Sequence, residues 1–333
     1  MTSLPHLGET LALLTALLWA VAVILYKKSG ETVHPVALNL FKSTVSGVLV
    51  LLTILAIEGS LAFDMPRGDM LWLLVSGAIG IGLADTLFFM MLNRLGAALT
   101  SIIDCLYSPT VILASVIWLG ESLSLLQIFG VLLIVSAVLE AVWGGGKVPN
   151  SKSQIATETD SLGNSTPPSP PGGPEGNAET PPGPPAEARG NAIGVLWGVT
   201  AMVCMAVSIV IMKPLLNKHS LLWVIEMRQI GGVAAILITL MFLRGRREIL
   251  KSLLVRKGWG WTLSGTLMGQ YIALMAWVAG IKFTQASQAA ALNQTSNLFV
   301  FILAGVFLKE RLTKKRVIGI VLAVIGVYLV TFG

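Results

Sequence analysis

The stretch LGESLSLLQIFG, residues Leu119 to Gly130, returns in altered form as LKERLTKKRVIG, residues Leu308 to Gly319. Both copies hold a Leu-x-Glu-x-Leu element and a glycine after it, and the shared residues lie 189 positions apart. Further pairs match at similar offsets, among them Ser76-Gly77 with Ser264-Gly265 and Lys42 with Arg228. These matches indicate an internal duplication, and the small differences in offset indicate short loop insertions between the two halves.

The composition favours a lipid bilayer as the solvent of both halves. The 333 residues are 54% hydrophobic and only 12% charged, whereas about a quarter of the residues of a soluble domain are charged. Runs of about 20 apolar residues recur, and each is long enough to cross the hydrocarbon core as a helix. They predict ten spans, at about 10–26, 36–57, 70–94, 97–118, 123–143, 193–212, 221–243, 259–281, 284–307 and 314–332.

Residues 144–192 interrupt this pattern, because they contain ten of the fifteen prolines and almost no large apolar side chains. Such a composition predicts a flexible linker without a core. The predicted organisation is a first five-span repeat at 9–143, the linker at 144–192, and a second five-span repeat at 193–333. Since five is odd, the second repeat enters the membrane from the opposite face, which is the inverted-topology arrangement of many secondary transporters.

Two five-span halves that each close with Leu-x-Glu-x-Leu, a helix and an internal glycine resemble the EamA-type members of the drug/metabolite transporter superfamily. The resemblance covers nearly the whole chain except the linker. It implies an all-α integral membrane protein of ten transmembrane helices, arranged as two inverted repeats, in the plasma (inner) membrane. It also implies a carrier of small organic solutes, including amino acids, that moves them by alternating access.

Charged residues inside the predicted spans are the first candidates for a transport site, since charge inside a bilayer is costly. Lys42, Asp85 and Asp104 lie on three spans, each about 9–14 Å from the same face at 1.5 Å per residue. We expect them to face a common polar cavity and partly to neutralise one another. Ser101 shares a helix face with Asp104, and Tyr107 lies close by, next to a Pro109 that can break the helix there.

The second half supplies a different set of polar residues, mostly amides and hydroxyls. Arg228 occupies the position of Lys42, and Asn293-Gln294 occupy the position of Asp104-Cys105. A full polar turn in span nine must face protein or water on at least part of its circumference. The remaining candidates of this half are Gln270, Tyr271 and Asn297, and Trp19 and Trp277 are deep enough in their spans to line a cavity.

These residues predict substrate binding and its coupling to conformational change. Two nearby acids favour one that holds a proton at neutral pH, so we hypothesise that Asp104 or Asp85 binds a proton or a substrate amine. The alternatives are a Lys–Asp pair that only fixes helix packing, and a Lys42 that snorkels to the surface. An intramembrane enzyme and a scaffold without transport are the competing functions.

The sequence shows no motif for a cofactor, a metal or a nucleotide, and the basic residues lie at helix ends, which does not indicate nucleic-acid binding. The expected partners are a small-molecule substrate and membrane lipids. The basic residues concentrate on the face opposite the termini and predict that this face is cytoplasmic. Gly265-x-x-x-Gly269 allows close helix contact, either within a monomer or in a homodimer.

Overall fold

The computed structural model describes residues 7–61, 64–119, 124–143, 186–255, 258–283, 286–310 and 312–332. Every regular element in these ranges is a helix. The α-helices are α1 (Leu7–Ser29), α2 (Pro35–Glu58), α3 (Arg67–Gly77), α4 (Asp85–Leu95), α5 (Ala97–Asp104), α6 (Tyr107–Leu119), α7 (Leu125–Trp143), α8 (Ala186–Leu216), α9 (Leu221–Phe242), α10 (Arg246–Lys251), α11 (Trp259–Gly265), α12 (Leu274–Phe283), α13 (Ala286–Phe307) and α14 (Lys314–Phe332). Two π-helical segments, π1 (Ala78–Ala84) and π2 (Thr266–Ala273), and a short 3₁₀ turn (Ser252–Leu254) complete the described elements.

Five helices in the described part are long and apolar enough to cross a membrane. They are Thr10–Ser29, Pro35–Glu58, Arg67–Leu95, Ala192–Leu216 and Leu221–Phe242. Two shorter apolar helices, Leu125–Ala141 and Leu292–Phe307, accompany them. Helices from before and after the predicted linker pack directly on one another: α1 contacts α13, α12 and π2, and α9 contacts α2, α3 and π1.

Local sequence signals explain several helix ends. Pro35 starts α2, where His34 caps the helix by accepting a hydrogen bond from the Val36 amide, and a proline suits the first helical position. Helix α7 starts with a capping box, in which two side chains and two backbone amides bond reciprocally. Ser124 Oγ accepts from the Gln127 amide at 3.1 Å, and the Gln127 side chain accepts from the Ser124 amide at 3.0 Å.

The fourth predicted span is not one continuous helix. Its first part is α5, which ends at Asp104. A tight turn at Cys105 and Leu106 follows, and the second part is α6. Pro109 explains the break, because it has no amide hydrogen to donate to the carbonyl four residues earlier. The predicted effect of this proline is confirmed, and it leaves Asp104 at the end of a helix.

The helix that contains the predicted sixth span is longer than that span. Helix α8 begins at Ala186, several residues before the predicted start of span six at 193. Residues 186–192 include Ala and Glu, which favour helix and offset the glycine among them. The predicted span follows apolar composition and therefore starts after this polar first turn. Residues 144–185, which are the remainder of the predicted linker, lie outside the described residues.

The two π-helical segments occupy matching positions of the duplication, 188 residues apart. Each interrupts a predicted span, the third and the eighth. Segments of π-helix are rare and occur often at functional sites. Asp85 follows π1 directly and Gln270 lies within π2, so both segments orient candidate site residues.

Glycines allow α3 and α9 to approach closely beside this site. A Cβ atom on Gly77 would collide with the backbone of Arg228, and one on Gly231 would collide with the backbone of Leu74. Since the obstacles are main-chain atoms, no side-chain rotation can relieve them. The position of the Arg228 backbone therefore depends on a residue without a side chain at position 77.

Gly77→Ala is expected to destabilise the protein by about 1–3 kcal/mol, the usual cost of overpacking. The matched control is Gly260→Ala, because a Cβ on Gly260, also within a helix, meets no atom within 4 Å. Heating series of the two purified variants, followed by size-exclusion chromatography, measure the difference. An equal midpoint for Gly77→Ala and the wild type would contradict the close approach.

Glu310 lies shortly before α14 in the sequence, but the structure places its carboxylate at the start of a different helix. Its carboxylate instead accepts hydrogen bonds from the Ala97 and Ala98 amides, at 2.8 and 3.0 Å, at the start of α5. The first amides of a helix have no partners within it, and negative charge is favoured there. Gly96, with φ at 83°, makes room for the carboxylate, since a Cβ there would lie 2.9 Å from it. Glu121, the matching residue, lies outside the described residues.

Glu310→Gln is expected to lower stability by about 0.5–2 kcal/mol, the range for loss of a helix cap. The amide can accept through only one of its two atoms and removes the charge. Glu248→Gln is the control, because Glu248 is exposed and its ion pair is with Lys251, one turn away. Thermal midpoints in the same detergent compare the two, and a loss as small as the control's would contradict the capping role.

Candidate functional site

A cavity of about 140 Å³ lies where helices from both halves meet. Most of its wall is apolar, and it includes the aromatic side chains of Trp19, Phe88 and Trp277. The polar or charged residues of the wall are Thr15, Asp85, Asp104, Tyr107, Arg228, Gln270, Asn293, Gln294 and Ser296. A cavity of this size accommodates several water molecules or a small solute.

Lys42 and Asp85 form a buried ion pair, with 2.5 Å between Nζ and Oδ2. The Lys42 side chain is fully buried and also donates a hydrogen bond to the Gln270 side chain at 2.9 Å. Its Nζ lies 5.5 Å from the centre of the Phe89 ring. Lys42 therefore does not snorkel to the surface, and it reaches Asp85 from behind the cavity wall.

Asp104 reaches the same cavity from the end of α5 and is only partly buried. Among the described residues, no lysine or arginine lies within 4 Å of its carboxylate. Its polar neighbour is Asn297, which donates to the Gln294 side chain at 2.8 Å. The two aspartates of the cavity thus differ, because Asp85 is paired with a cation and Asp104 is not.

Arg228 brings a cation to the cavity from α9. Its side chain donates to Ser208 Oγ at 3.0 Å and lies 2.9 Å from Met212 Sδ. The residue is 5% exposed, and its buried Nε has no hydrogen-bond partner among the described residues. In the described part of the chain no carboxylate lies within 4 Å of the guanidinium. Arg228 is therefore held in place while part of its hydrogen-bonding capacity stays open.

Two more polar atoms of the wall are buried and have no hydrogen-bond partner within the described ranges. They are Trp277 Nε1, a donor, and Asn293 Oδ1, an acceptor. Buried polar groups of proteins are nearly always hydrogen-bonded, so each exception needs an explanation. A bound ligand with both donors and acceptors would satisfy these groups.

The sequence-predicted site residues divide into two groups in the structure. Those on the wall are Asp85, Asp104, Tyr107, Arg228, Gln270, Asn293 and Gln294. Those behind the wall are Lys42, Ser101, Tyr271 and Asn297. Ser101 bonds its own helix at the Ala98 carbonyl, and Tyr271 Oη lies 2.6 Å from Thr53 Oγ1. Trp19 and Trp277, the two deep tryptophans, are on the wall.

Sequence reasoning missed several residues that shape this site. Ser208 anchors Arg228 and is hydrogen-bonded with Ser76 of α3. Gln229 links α9 with α2, because it donates to Ser46 Oγ at 2.9 Å. A single serine in an apolar helix carries little signal, although the match of Ser76-Gly77 with Ser264-Gly265 could have drawn attention to the Ser76 region. Gly80 on the wall gave no signal among 34 glycines, and the sequence indicated Gly269 only as a close helix contact.

Comparison with known proteins identifies the family of this chain. The model of the EamA-like transporter family matches residues 6–143 and again residues 192–332. In all, 26 chains of solved structures match. One of them, titled only as the crystal structure of a protein, covers 98% of this chain and 96% of its own at a TM-score of 0.63. At 16% identity this likeness shows the fold alone. A search of curated proteins gives no match.

The family match agrees with the apolar helices. Both describe an integral, multi-pass membrane protein, and members of this family are transporters rather than enzymes. The two matched segments together include every residue of the cavity wall. The chain belongs to the EamA-like transporter family, and it is a transporter of the drug/metabolite type.

Proposed function

We propose that the protein is a secondary transporter that moves a small organic metabolite, of the amino acid type or another polar solute, across the membrane by alternating access. The observation that carries this proposal is the charge pattern of the cavity. Arg228 and Asp104 both reach it, and neither has an ion-pair partner among the described residues. Lys42 and Asp85, by contrast, neutralise each other.

An unpaired charge in a protein interior is costly, and an opposite charge reduces that cost. A solute with an anionic group near Arg228 and a cationic group near Asp104 would compensate both. The donor Trp277 Nε1 and the acceptor Asn293 Oδ1, both without a partner among the described residues, would form hydrogen bonds that orient the bound solute. The apolar part of the solute would contact Trp19 and Phe88, whose ring centres lie 6.2 Å apart.

The transport mechanism that suits this site is alternating access between two inverted halves of five spans each, ten in all. Its supports are the sequence duplication and the matching positions of π1 and π2, which both contribute to the cavity wall. Inverted repeats place the binding site near the bilayer midplane, at the interface of the repeats. The two halves are residues 9–143 and 193–333, and their relative rocking would expose the cavity to each face in turn.

The proposal also covers coupling to protons, the membrane in which the protein lies and its oligomeric state. A proton on Asp104 or Asp85 would couple its movement to that of the solute, and the plasma (inner) membrane is the proposed location.

Gly265 and Gly269 pack against α1, where a Cβ on Gly269 would lie 2.6 Å from the Cβ of Ala22. This close-packing motif is therefore used within the chain and is not free to serve as a homodimer contact.

A counterflow screen tests the function. Proteoliposomes loaded with a mixture of unlabelled amino acids and metabolites are diluted into trace labelled solute. We expect saturable, transient accumulation of at least one amphipathic zwitterion, because a carrier exchanges solute across the membrane. Asp104→Asn should weaken this signal and change its dependence on pH between 5 and 8. A signal no larger than that of protein-free liposomes for every solute would contradict the transport function. Equal pH profiles for Asp104→Asn and the wild type would contradict the role of Asp104 in proton coupling.

A further inference from the structure

Glu226 of α9 is a buried carboxylate outside the cavity wall. The residue is 2% exposed, and its buried Oε2 has no hydrogen-bond partner in the part of the chain that the structure describes. No lysine, arginine or histidine of the described residues lies within 4 Å of it. An isolated carboxylate ion is very costly in such a place, whereas the neutral acid is far less so. Geometry and burial therefore favour a protonated side chain.

The carboxyl group points into a gap against α2. The gap exists because residue 47 is a glycine: a Cβ there would lie 3.7 Å from Glu226 Oε1 and 3.9 Å from Oε2. The charged residues on the helices packed against α9 have other surroundings. Lys42 forms an ion pair with Asp85, and Asp69 forms one with His219. Glu58 is hydrogen-bonded to Ser220 and Trp223, and Arg228 is hydrogen-bonded to Ser208. The remaining two, Arg67 and Lys213, are exposed. Glu226 thus has no neutralising neighbour among them.

A chain of side chains connects this gap with the cavity. Gln229, one turn along α9 and also beside Gly47, donates to Ser46 Oγ at 2.9 Å. Ser46 donates to the Gln270 backbone carbonyl at 2.8 Å, and the Gln270 side chain accepts from Lys42 at 2.9 Å. Lys42 in turn holds Asp85 on the cavity wall. A movement of α9 against α2 at Glu226 would therefore disturb the ion pair at the cavity.

We propose that Glu226 is a proton-binding site of this protein. The carboxylate takes a proton from water when the α2–α9 contact is open to solvent, and it holds that proton as a neutral acid in the closed contact seen here. When the contact reopens, the proton returns to water and the carboxylate is hydrated again. The link between this proton and solute movement rests on the proposed transport function, whereas the protonation itself does not.

Infrared difference spectroscopy tests the proposal without any solute. The purified protein is reconstituted in lipid vesicles at neutral pH, and the C=O stretching band of protonated carboxylic acids is recorded in H₂O and D₂O. We expect part of this band to be lost in Glu226→Gln. The control Glu58→Gln removes an exposed, hydrogen-bonded carboxylate of the same helix pair and should leave the band unchanged. Identical bands for wild type and Glu226→Gln would overturn the proposal.

Gly47→Ser provides a second, independent variant. The contacts around Gly47 leave ordinary van der Waals space for a Cβ, so serine fits there. Its hydroxyl would lie beside the acid and donate a hydrogen bond to the C=O group. We expect the Glu226 part of the band to shift to lower frequency without disappearing. An unshifted band in Gly47→Ser would count against the proposal even if Glu226→Gln failed to fold. Neither result depends on whether a transported solute is found.

Discussion

Replacing Asp85 with asparagine is expected to destabilise the protein by about 3–5 kcal/mol, the cost of leaving one partner of a buried ion pair behind. Lys42 is fully buried, and after the substitution its ammonium would keep only neutral partners such as Gln270. Its path to the surface is closed by packing, so snorkelling cannot relieve the charge. A heating series in mild detergent, read as the fraction of protein that stays monodisperse, measures the loss.

The double variant Lys42→Met/Asp85→Asn separates the charge effect from packing. It removes both charges while keeping similar volumes, and replacing a whole buried ion pair by apolar or neutral groups is often close to neutral for stability. We therefore expect the double variant to be more stable than Asp85→Asn alone. The loss of stability in the double variant is compared with the sum of the losses in Asp85→Asn and Lys42→Met. If it equalled that sum, the buried ion pair would not be the cause, because the effects of independent sites add and those of coupled sites do not.

The second large effect is expected at Arg228. In Arg228→Gln, the affinity for the transported solute should fall by roughly 10- to 150-fold, which corresponds to the about 1.5–3 kcal/mol of a hydrogen bond to a charged group. The substitution removes the cavity-facing cation that lacks a carboxylate partner in the described part of the chain. Half-saturation concentrations from counterflow with the solute found in the screen measure the change.

Two further variants define what the Arg228 result means. Arg228→Lys keeps the charge but loses the planar donor geometry, so an intermediate loss is expected. Lys213→Gln removes an exposed cation of α8 and should leave the half-saturation concentration unchanged. A loss in Lys213→Gln as large as that in Arg228→Gln would mean that overall charge, rather than the cavity, decides affinity. Unaltered affinity in Arg228→Gln would remove Arg228 from the proposed binding site.

Much of the site was predictable because charge is conspicuous in an apolar chain. Asp85, Asp104 and Arg228 stand out among apolar neighbours, and the structure brings all three to one cavity. The duplication made a second set of polar residues visible by alignment of the halves, which is how Asn293 and Gln294 were found. Hydroxyl residues such as Ser208 gave too weak a signal, since serine and threonine are common in membrane helices.

Pairing among these residues was not predictable in the same way. The predicted depths of Lys42, Asp85 and Asp104 were similar, and nothing in their spacing chose which aspartate receives the ammonium. The rotation of each helix and the π-helical turn before Asp85 decide that choice. Likewise, the sequence placed Glu310 next to its own helix, while the structure places it on the first amides of α5, more than 200 positions away.

The amino-acid sequence by itself determined that this is a duplicated, helical membrane protein with a few charges inside its spans. These properties follow from composition, from apolar run lengths and from repetition, which are local along the chain. Only the tertiary structure decided that Lys42 neutralises Asp85 and that Arg228 and Asp104 share a cavity. Among the residues that the structure describes, it gives neither of these two an ion-pair partner, and it places Glu226 beside Gly47 without a cation nearby. Such relations depend on contacts between helices far apart in the chain, whose rotation and approach are fixed by packing rather than by sequence spacing.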